Sequence, residues 1–216
     1  MHHISYNLSI MLIPIFLGLL TGYIMCIPIG PLNILIFNTK LKRGIAPAMS
    51  IAVGGAIMDF IYFFIILSGL SLFTINPQIS FGFKILGTAI LFLLGIKEIF
   101  FVHVDLRERP KYNRKLGSKG FLLLGILIYI GNPTMFFSLS TLCAFIKSFS
   151  FFPSTLTNNA VFSLFVAFGS VLWFYTLIVI IEKFEHKITK TLMIKINQFC
   201  GILILILSFY LGYNLL

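Results

Sequence analysis

The sequence of 216 residues is poor in charge, and acidic residues are the scarcest charged type. Charged residues make up 10% of it and hydrophobic residues 59%, and only 6 Asp and Glu accompany 16 Lys and Arg. A soluble domain of this size needs far more polar surface than this composition can provide. The composition therefore excludes an ordinary soluble globular protein.

Cysteine and histidine are also scarce, and their positions exclude several kinds of site. The three cysteines lie far apart in apolar runs, so they form neither a disulfide framework nor a metal-ligand pattern. The four histidines lie outside the apolar runs, which leaves no Ser/His/Asp set at membrane depth. No glycine loop is followed by Lys-Ser or Lys-Thr. The sequence therefore predicts no metal site, no cofactor and no enzyme activity.

What the sequence does contain is a succession of long apolar runs. Segments long enough to cross a membrane recur from end to end. Six spans are predicted, at about 10–37, 46–73, 83–101, 120–145, 161–181 and 194–213. The first run lacks a basic start and a small-residue cleavage site, so it is not expected to be a signal peptide. The predicted fold is an all-α membrane protein, with residues 1–216 as one domain surrounded by lipid.

The basic residues are concentrated on one side of the predicted spans. All but 2 of the 16 Lys and Arg residues lie at the ends of spans one, three and five or in the loops after them, the exceptions being Lys84 and Lys147. Because cytoplasmic loops are enriched in Lys and Arg, these loops are predicted to be cytoplasmic and both termini to face outward. The formal net charge of +10 follows from this pattern, so no nucleic-acid partner is predicted.

A polar linker at about 102–119 divides the chain into two halves of three spans, at about 10–101 and 120–216. An odd number of spans makes the second half enter the membrane with opposite polarity, which is the inverted-repeat arrangement of many secondary transporters. Short motifs recur in the same order in the two halves: Gly-Pro-Leu-Asn at 30–33 with Gly-Asn-Pro-Thr at 131–134, and Val-Gly-Gly-Ala at 53–56 with Phe-Gly-Ser-Val at 168–171. The sequence therefore predicts two inverted three-helix repeats.

Two of the predicted spans are interrupted by helix-breaking residues. Pro28, Gly30 and Pro31 break span one, because proline lacks a backbone donor and its ring clashes with the preceding turn. Asn132 and Pro133 break span four in the same way. Interrupted backbone is tolerated in lipid only where protein or a water-filled cavity meets it, so such breaks indicate a solute site. The alternative is a kink that only shapes packing.

Asp59 is the only acidic residue near the middle of a predicted span. A carboxylate at that depth is costly unless it faces a cavity or a partner. It could exchange a proton or bind a substrate ammonium group, or it could be a neutral acid that joins two helices. Asn33 and Asn132, beside the breaks, could bind substrate or satisfy the interrupted backbone. Trp173, the single tryptophan, could line the site, although simple packing is the favoured interpretation.

Small residues recur at four-residue spacing in the first two spans. Such faces allow close helix approach in lipid. They are Gly18, Gly22, Cys26 and Gly30 in span one, and Ala48, Ala52 and Ala56 in span two. Four tyrosines within spans are candidate cavity-lining donors, although membrane tyrosines more often pack or anchor at the interface. They are Tyr23, Tyr62, Tyr129 and Tyr175.

Several of these motifs together resemble the LysE family of amino-acid exporters, which includes lysine/arginine and homoserine/threonine exporters. In the first half, residues 28–33, 42–44 and 54–59 carry the resemblance. In the second half, residues 125–130 and the Asn-Pro element at 132–137 carry it. The resemblance extends over nearly the whole chain, and the length also agrees.

The resemblance implies a secondary active transporter of the inner or plasma membrane that exports amino acids or related small zwitterions by proton antiport. Its implied partners are an amino acid and a proton, and a homo-oligomer is compatible with it. The residues at matching motif positions are Pro28, Gly30, Pro31, Asn33, Asp59, Asn132 and Pro133. Two alternatives stay open. One is a cation exporter, although a single carboxylate provides too few ligands to bind a divalent metal ion well. The other is a non-transporting membrane scaffold.

Overall fold

The computed structural model describes residues 2–28, 30–73, 85, 88–89, 92–93, 95–101, 116–131, 133–148, 150–184 and 189–213. All regular secondary structure in these residues is α-helical. The helices are α1 (His2–Met25), α2 (Pro31–Arg43), α3 (Ile45–Phe73), α4 (Ser118–Ile130), α5 (Pro133–Ser148), α6 (Leu156–Phe184) and α7 (Lys190–Tyr213).

Three helices in the described part of the chain are long and apolar enough to cross a membrane. They are Ile45–Gly69 in α3, Leu156–Phe184 in α6 and Lys190–Tyr210 in α7. α3 and α6 have 29 residues each, or about 43 Å at 1.5 Å per residue. That length exceeds the hydrocarbon core of a bilayer, which is about 30 Å thick.

Two shorter apolar helices, Leu12–Met25 and Ser118–Ile130, stop at the predicted breaks. α1 ends at Met25 and α2 begins at Pro31, after Gly30 in extended conformation with φ −92° and ψ −177°. A proline at the first helical position costs nothing, because that N–H has no partner within the helix. In the second half, α4 ends at Ile130 and α5 begins at Pro133. Both helices are therefore interrupted where prolines occur in the sequence.

Part of predicted span three, at 83–101, and most of the linker at 102–119 lie outside the described residues. Residues 95–100 are helical and run antiparallel to α7. Gly95 and Gly201 meet closely there, since a methyl group added to Gly201 would lie 2.9 Å from the Gly95 carbonyl oxygen. The Ser208 hydroxyl donates to the Thr88 carbonyl oxygen at 3.0 Å.

α1 packs against α6 through glycines that bring the two backbones together. A methyl group at Gly22 would collide with the Val166 carbonyl oxygen, and one at Gly169 would collide with that of Leu19. A methyl group at Gly18 would approach α6 in the same way. The predicted close-packing role of Gly18 and Gly22 is therefore confirmed.

α3 packs against α4 through a second pair of glycines. A methyl group at Gly54 would collide with the Leu122 carbonyl oxygen, and one at Gly125 would collide with that of Ile51. On the same helix, Ala48, Ala52 and Ala56 are buried, as the small-residue pattern predicts. α3 thus combines a close backbone contact with a face of small buried side chains.

The main core lies between α3 and α6, with α2, α4 and α5 around them. The rings of Phe63 and Phe162 meet at its centre, 5.9 Å apart. α2 contributes Leu32, and α4 contributes Phe121, both buried. This arrangement places the middle of α3 against the middle of α6, which determines what the polar residues there can contact.

Because the backbones of α1 and α6 are so close, a single methyl group added at this crossing should strongly reduce the stability of the protein. We expect Gly22→Ala to lower the free energy of unfolding by about 1–3 kcal/mol, because overpacking forces well-packed elements apart. Thermal unfolding of the detergent-solubilised protein would measure the change.

The matched control is Gly69→Ala in α3, where a methyl group would meet nothing within 4 Å. That variant should be as stable as the wild type or slightly more stable, because alanine favours helix. Equal stability of the two alanine variants would contradict the close crossing.

Candidate functional site

Asp59 lies halfway along α3, and Ser170 lies halfway along α6. Both are fully buried at 0% exposure. Each helix is long enough to cross a bilayer, and a helix that spans it would have its midpoint near the middle of the membrane. A polar pair at this depth requires partners within the protein.

Two hydroxyl groups of the described residues lie beside the Asp59 carboxyl group. The Tyr129 hydroxyl donates to Asp59 Oδ1 at 2.7 Å. The Ser170 hydroxyl lies beside the same carboxyl group and is also within 3.1 Å of the Val166 carbonyl oxygen. Asp59 Oδ2 has no hydrogen-bond partner within the described ranges. A buried oxygen without a partner is costly, so Oδ2 is suited to take a proton or a ligand donor.

Both helix breaks approach this carboxyl group. Cys26 directly follows α1. Its buried thiol is near enough to interact electrostatically with the Asp59 carboxyl group, and it lies beside the Ser170 hydroxyl. Tyr129 lies in the last turn of α4, just before the second break. The ends of two interrupted helices and the centres of two continuous ones therefore meet at Asp59.

Asn33 closes the first break from within α2. Its side-chain Nδ2 donates to the Cys26 carbonyl oxygen at 3.1 Å and to the Pro28 carbonyl oxygen at 2.9 Å. A primary amide has two hydrogens to donate, so both are engaged. Of the two roles considered for Asn33, the geometry favours satisfying the interrupted backbone over binding a substrate.

Trp173 on α6 does more than pack. Its Nε1–H donates to Asn33 Oδ1 at 3.2 Å, and its ring meets that of Tyr23 edge-on at 5.5 Å between centroids. Trp173 packs against the main core, as expected, and its indole also completes the hydrogen bonding of the amide that closes the break.

The remaining predicted site residues either form the backbone of the two helix breaks or lie outside the described residues. Gly30 and Pro31 begin α2, whose N-terminus carries no side-chain cap. Pro133 begins α5, while Asn132 lies outside the described residues. The structure thus gathers Pro28, Asn33 and Asp59 around Cys26, and the second break approaches them through Tyr129.

Sequence reasoning did not single out Ser170 and gave Tyr129 no priority over the other tyrosines. Two signals were available. Tyr129 lies four residues before the Pro133 break, and Ser170 stands in span five where the matching motif of span two has Gly55. The helix rotation that turns both toward Asp59 cannot be read from such spacing.

The fold and site define an α-helical membrane protein whose buried acidic residue lies beside two helix breaks. The chain belongs to the LysE type translocator family, since the model of that family matches residues 23–215. The predicted family is therefore confirmed. The chain is also 24% identical over 207 residues to the "Putative amino acid efflux protein YcgF" of Bacillus subtilis (strain 168), covering 93% of this chain and 96% of that protein. No solved structure matches the chain.

The contact between Asn33 and Trp173 predicts energetic coupling across the break. Asn33→Ala removes three hydrogen bonds, whereas Trp173→Phe removes one. We expect the first change to destabilise the protein more, because it leaves the buried Cys26 carbonyl oxygen without its side-chain donor and removes one of two donors from the Pro28 carbonyl oxygen.

A double-mutant cycle by thermal unfolding checks this expectation. The two changes together should cost less than the sum of the single changes, by about 1 kcal/mol, since they remove one shared interaction. Simple additivity would show that this hydrogen bond contributes nothing.

Proposed function

We propose that this protein is a secondary active transporter that exports amino acids or related small zwitterions across the inner or plasma membrane by proton antiport. The observation that carries the proposal is the buried Asp59 carboxyl group between two interrupted helices, with Oδ2 lacking a partner among the described residues. Membership of a translocator family supports it, and so does the similarity to a protein named for amino acid efflux.

We propose that the chain forms six spans in two inverted repeats. α2 and α4, at 13 residues or about 20 Å each, are too short to cross the membrane alone, so α1 with α2 and α4 with α5 would each form one interrupted span. In these repeats α1 corresponds to α4, and α3 corresponds to α6. The contact between α1 and α6 is therefore equivalent to the contact between α4 and α3. Both of these contacts are glycine crossings, which supports the pseudo-symmetry.

The substrate would bind between the first break and Asp59. A helix N-terminus attracts anions, and that of α2 has no side-chain cap, so it suits the substrate carboxylate. Leu32 in the first turn of α2 contacts Gly55, one turn before Asp59 on α3. Asp59 would then pair with the ammonium group through Oδ2. A zwitterion thus finds a partner for each of its two charges.

Proton coupling follows from the cost of an isolated charge at this depth. An ionised and empty Asp59 would be unfavourable within the membrane, so the site would reorient only with a proton or an ammonium group in place. On the cytoplasmic side, the arriving substrate would displace the proton. On the outer side, a proton would replace the departing substrate. Each cycle would therefore exchange one substrate for one proton.

The basic helix ends are proposed to be cytoplasmic. Lys40, Lys42 and Arg43 lie in the last turn of α2, and Lys183 lies in the last turn of α6. Phe37 of α2, Ile181 of α6 and Met193 of α7 form one buried cluster, which brings these ends together. The clustering supports one basic face, as the distribution of Lys and Arg suggests.

Cysteine labelling would test this orientation. The native cysteines are all buried, so they should not react with an impermeant maleimide. In intact cells, Ser154→Cys should be labelled, whereas Lys42→Cys should be labelled only after lysis, since both positions are exposed at opposite ends of the predicted spans. The reverse pattern would overturn the proposed orientation.

Transport itself would be tested by efflux from vesicles loaded with labelled amino acids, with and without a proton gradient. We expect Asp59→Asn to insert normally and to lose gradient-driven efflux by at least about 100-fold, because an amide can neither exchange a proton nor neutralise an ammonium group.

Glu182→Gln is the matched control, since it removes the same charge from an exposed position near the end of α6. That variant should transport like the wild type. Undiminished efflux by Asp59→Asn would remove Asp59 from the mechanism, and lack of any flux by the wild type would refute the transporter.

A further inference from the structure

We propose that Tyr129 is the positioning residue of this site, which holds the Asp59 carboxyl group and favours its ionised form through the hydroxyl hydrogen bond. The transport consequence of this inference rests on the proposed function. The effect on the carboxyl group itself does not, and it can be measured separately.

The Tyr129 side chain is fixed from several directions. It is buried, and its hydroxyl lies 2.7 Å from Asp59 Oδ1. A methyl group at Gly55 would lie 3.3 Å from Tyr129 Cε2, so α3 closely borders one edge of the ring. The ring of Tyr62 approaches it at 6.1 Å between centroids. The hydroxyl is therefore directed at the carboxyl group by packing as well as by the hydrogen bond.

Few other groups can determine the charge of Asp59. The Cys26 thiol directly follows α1, α6 contributes the Ser170 hydroxyl, and α4 contributes Tyr129. α2 and α5 pack on α3 but add no titratable group beside the carboxyl group, and Tyr62 of α3 itself faces Tyr129. Within the described residues, no Lys, Arg or His lies against Asp59. The Tyr129 hydroxyl, at 2.7 Å from Oδ1, and the Ser170 hydroxyl are thus the two donors beside the carboxyl group, and Tyr129 is the one with a hydrogen-bond geometry that points to it.

A donor hydrogen bond stabilises a carboxylate more than it stabilises the neutral acid. Tyr129 stands two residues before Gly131, where α4 has ended. The protonation state of Asp59 therefore acts directly on the end of α4, because the strength of this bond changes whenever a proton or an ammonium group arrives. This links the charge of the site to the second helix break.

The test is the reaction of Asp59 with dicyclohexylcarbodiimide, which attacks protonated carboxyl groups in apolar surroundings. Tyr129→Phe removes one oxygen and keeps the ring. We expect it to raise the pH of half-maximal labelling by about one unit, the size set by one hydrogen bond to a charged group. Mass spectrometry of the full-length protein would locate the adduct, and Asp59→Asn should remove it.

Tyr62→Phe is the matched control, because it removes the same oxygen from the neighbouring ring. Its labelling curve should match that of the wild type. A second variant carries 3-fluorotyrosine at position 129, which keeps the packing and makes the hydroxyl a stronger donor, so its curve should move to lower pH. Wild-type curves for both position-129 variants would overturn the inference, even if Tyr129→Phe alone folds poorly.

Efflux by the same proteins separates this inference from the proposed function. Shifted labelling with a matching shift in the pH profile of efflux supports both. Shifted labelling without amino-acid efflux from any variant, including the wild type, supports the role of Tyr129 and refutes the transporter. Efflux by the wild type with unchanged labelling of both position-129 variants refutes the role of Tyr129 alone.

Discussion

Backbone groups inside a membrane must be bonded by the protein itself, and the first helix break satisfies this constraint through one side chain together with short backbone hydrogen bonds such as that from the Gly30 N–H to the Pro28 carbonyl oxygen. The Asn33 side chain, in the first turn of α2, donates hydrogen bonds to the carbonyl oxygens of Cys26 and Pro28. Trp173 holds the amide from α6. With Asn33 fully engaged, the break is a fixed structural feature, and the polar chemistry at the centre of the fold falls to Asp59 and its neighbours.

Close helix contacts at glycines bring those neighbours to Asp59. Two continuous helices, α3 and α6, meet near their midpoints, and each draws one end of an interrupted helix close through a glycine crossing. The Gly22–Gly169 contact brings the end of α1, with Cys26, toward Ser170. The Gly54–Gly125 contact brings the end of α4, with Tyr129, toward Asp59. The polar cluster is therefore a consequence of backbone contacts made one turn away from it.

The sequence predicts the parts of this arrangement that depend on local chemistry. Prolines 28, 31 and 133 mark the breaks because proline cannot continue a helix, and Asp59 stands out because a charge is rare at that depth. The partners are different. Tyr129 is 70 residues from Asp59, and Trp173 is 140 residues from Asn33. Which face of α4 or α6 turns inward depends on tertiary packing among almost uniformly apolar helices, so periodicity carries little information about it.

Both of these hydrogen bonds join the first half of the chain to the second. In each, the first half provides the acceptor, Asn33 or Asp59, and an aromatic residue of the second half provides the donor. Apolar packing between helices is weakly directional in lipid, so such polar contacts and close glycine contacts fix how the halves fit together. The two bonds differ in one respect. Asn33 is neutral, so its bond to Trp173 does not depend on a change of charge, whereas the bond to Asp59 changes with the charge of the carboxyl group. In the proposed antiport, the arrival of a proton or an ammonium group would therefore act first on α4 and not on the junction between α1 and α2.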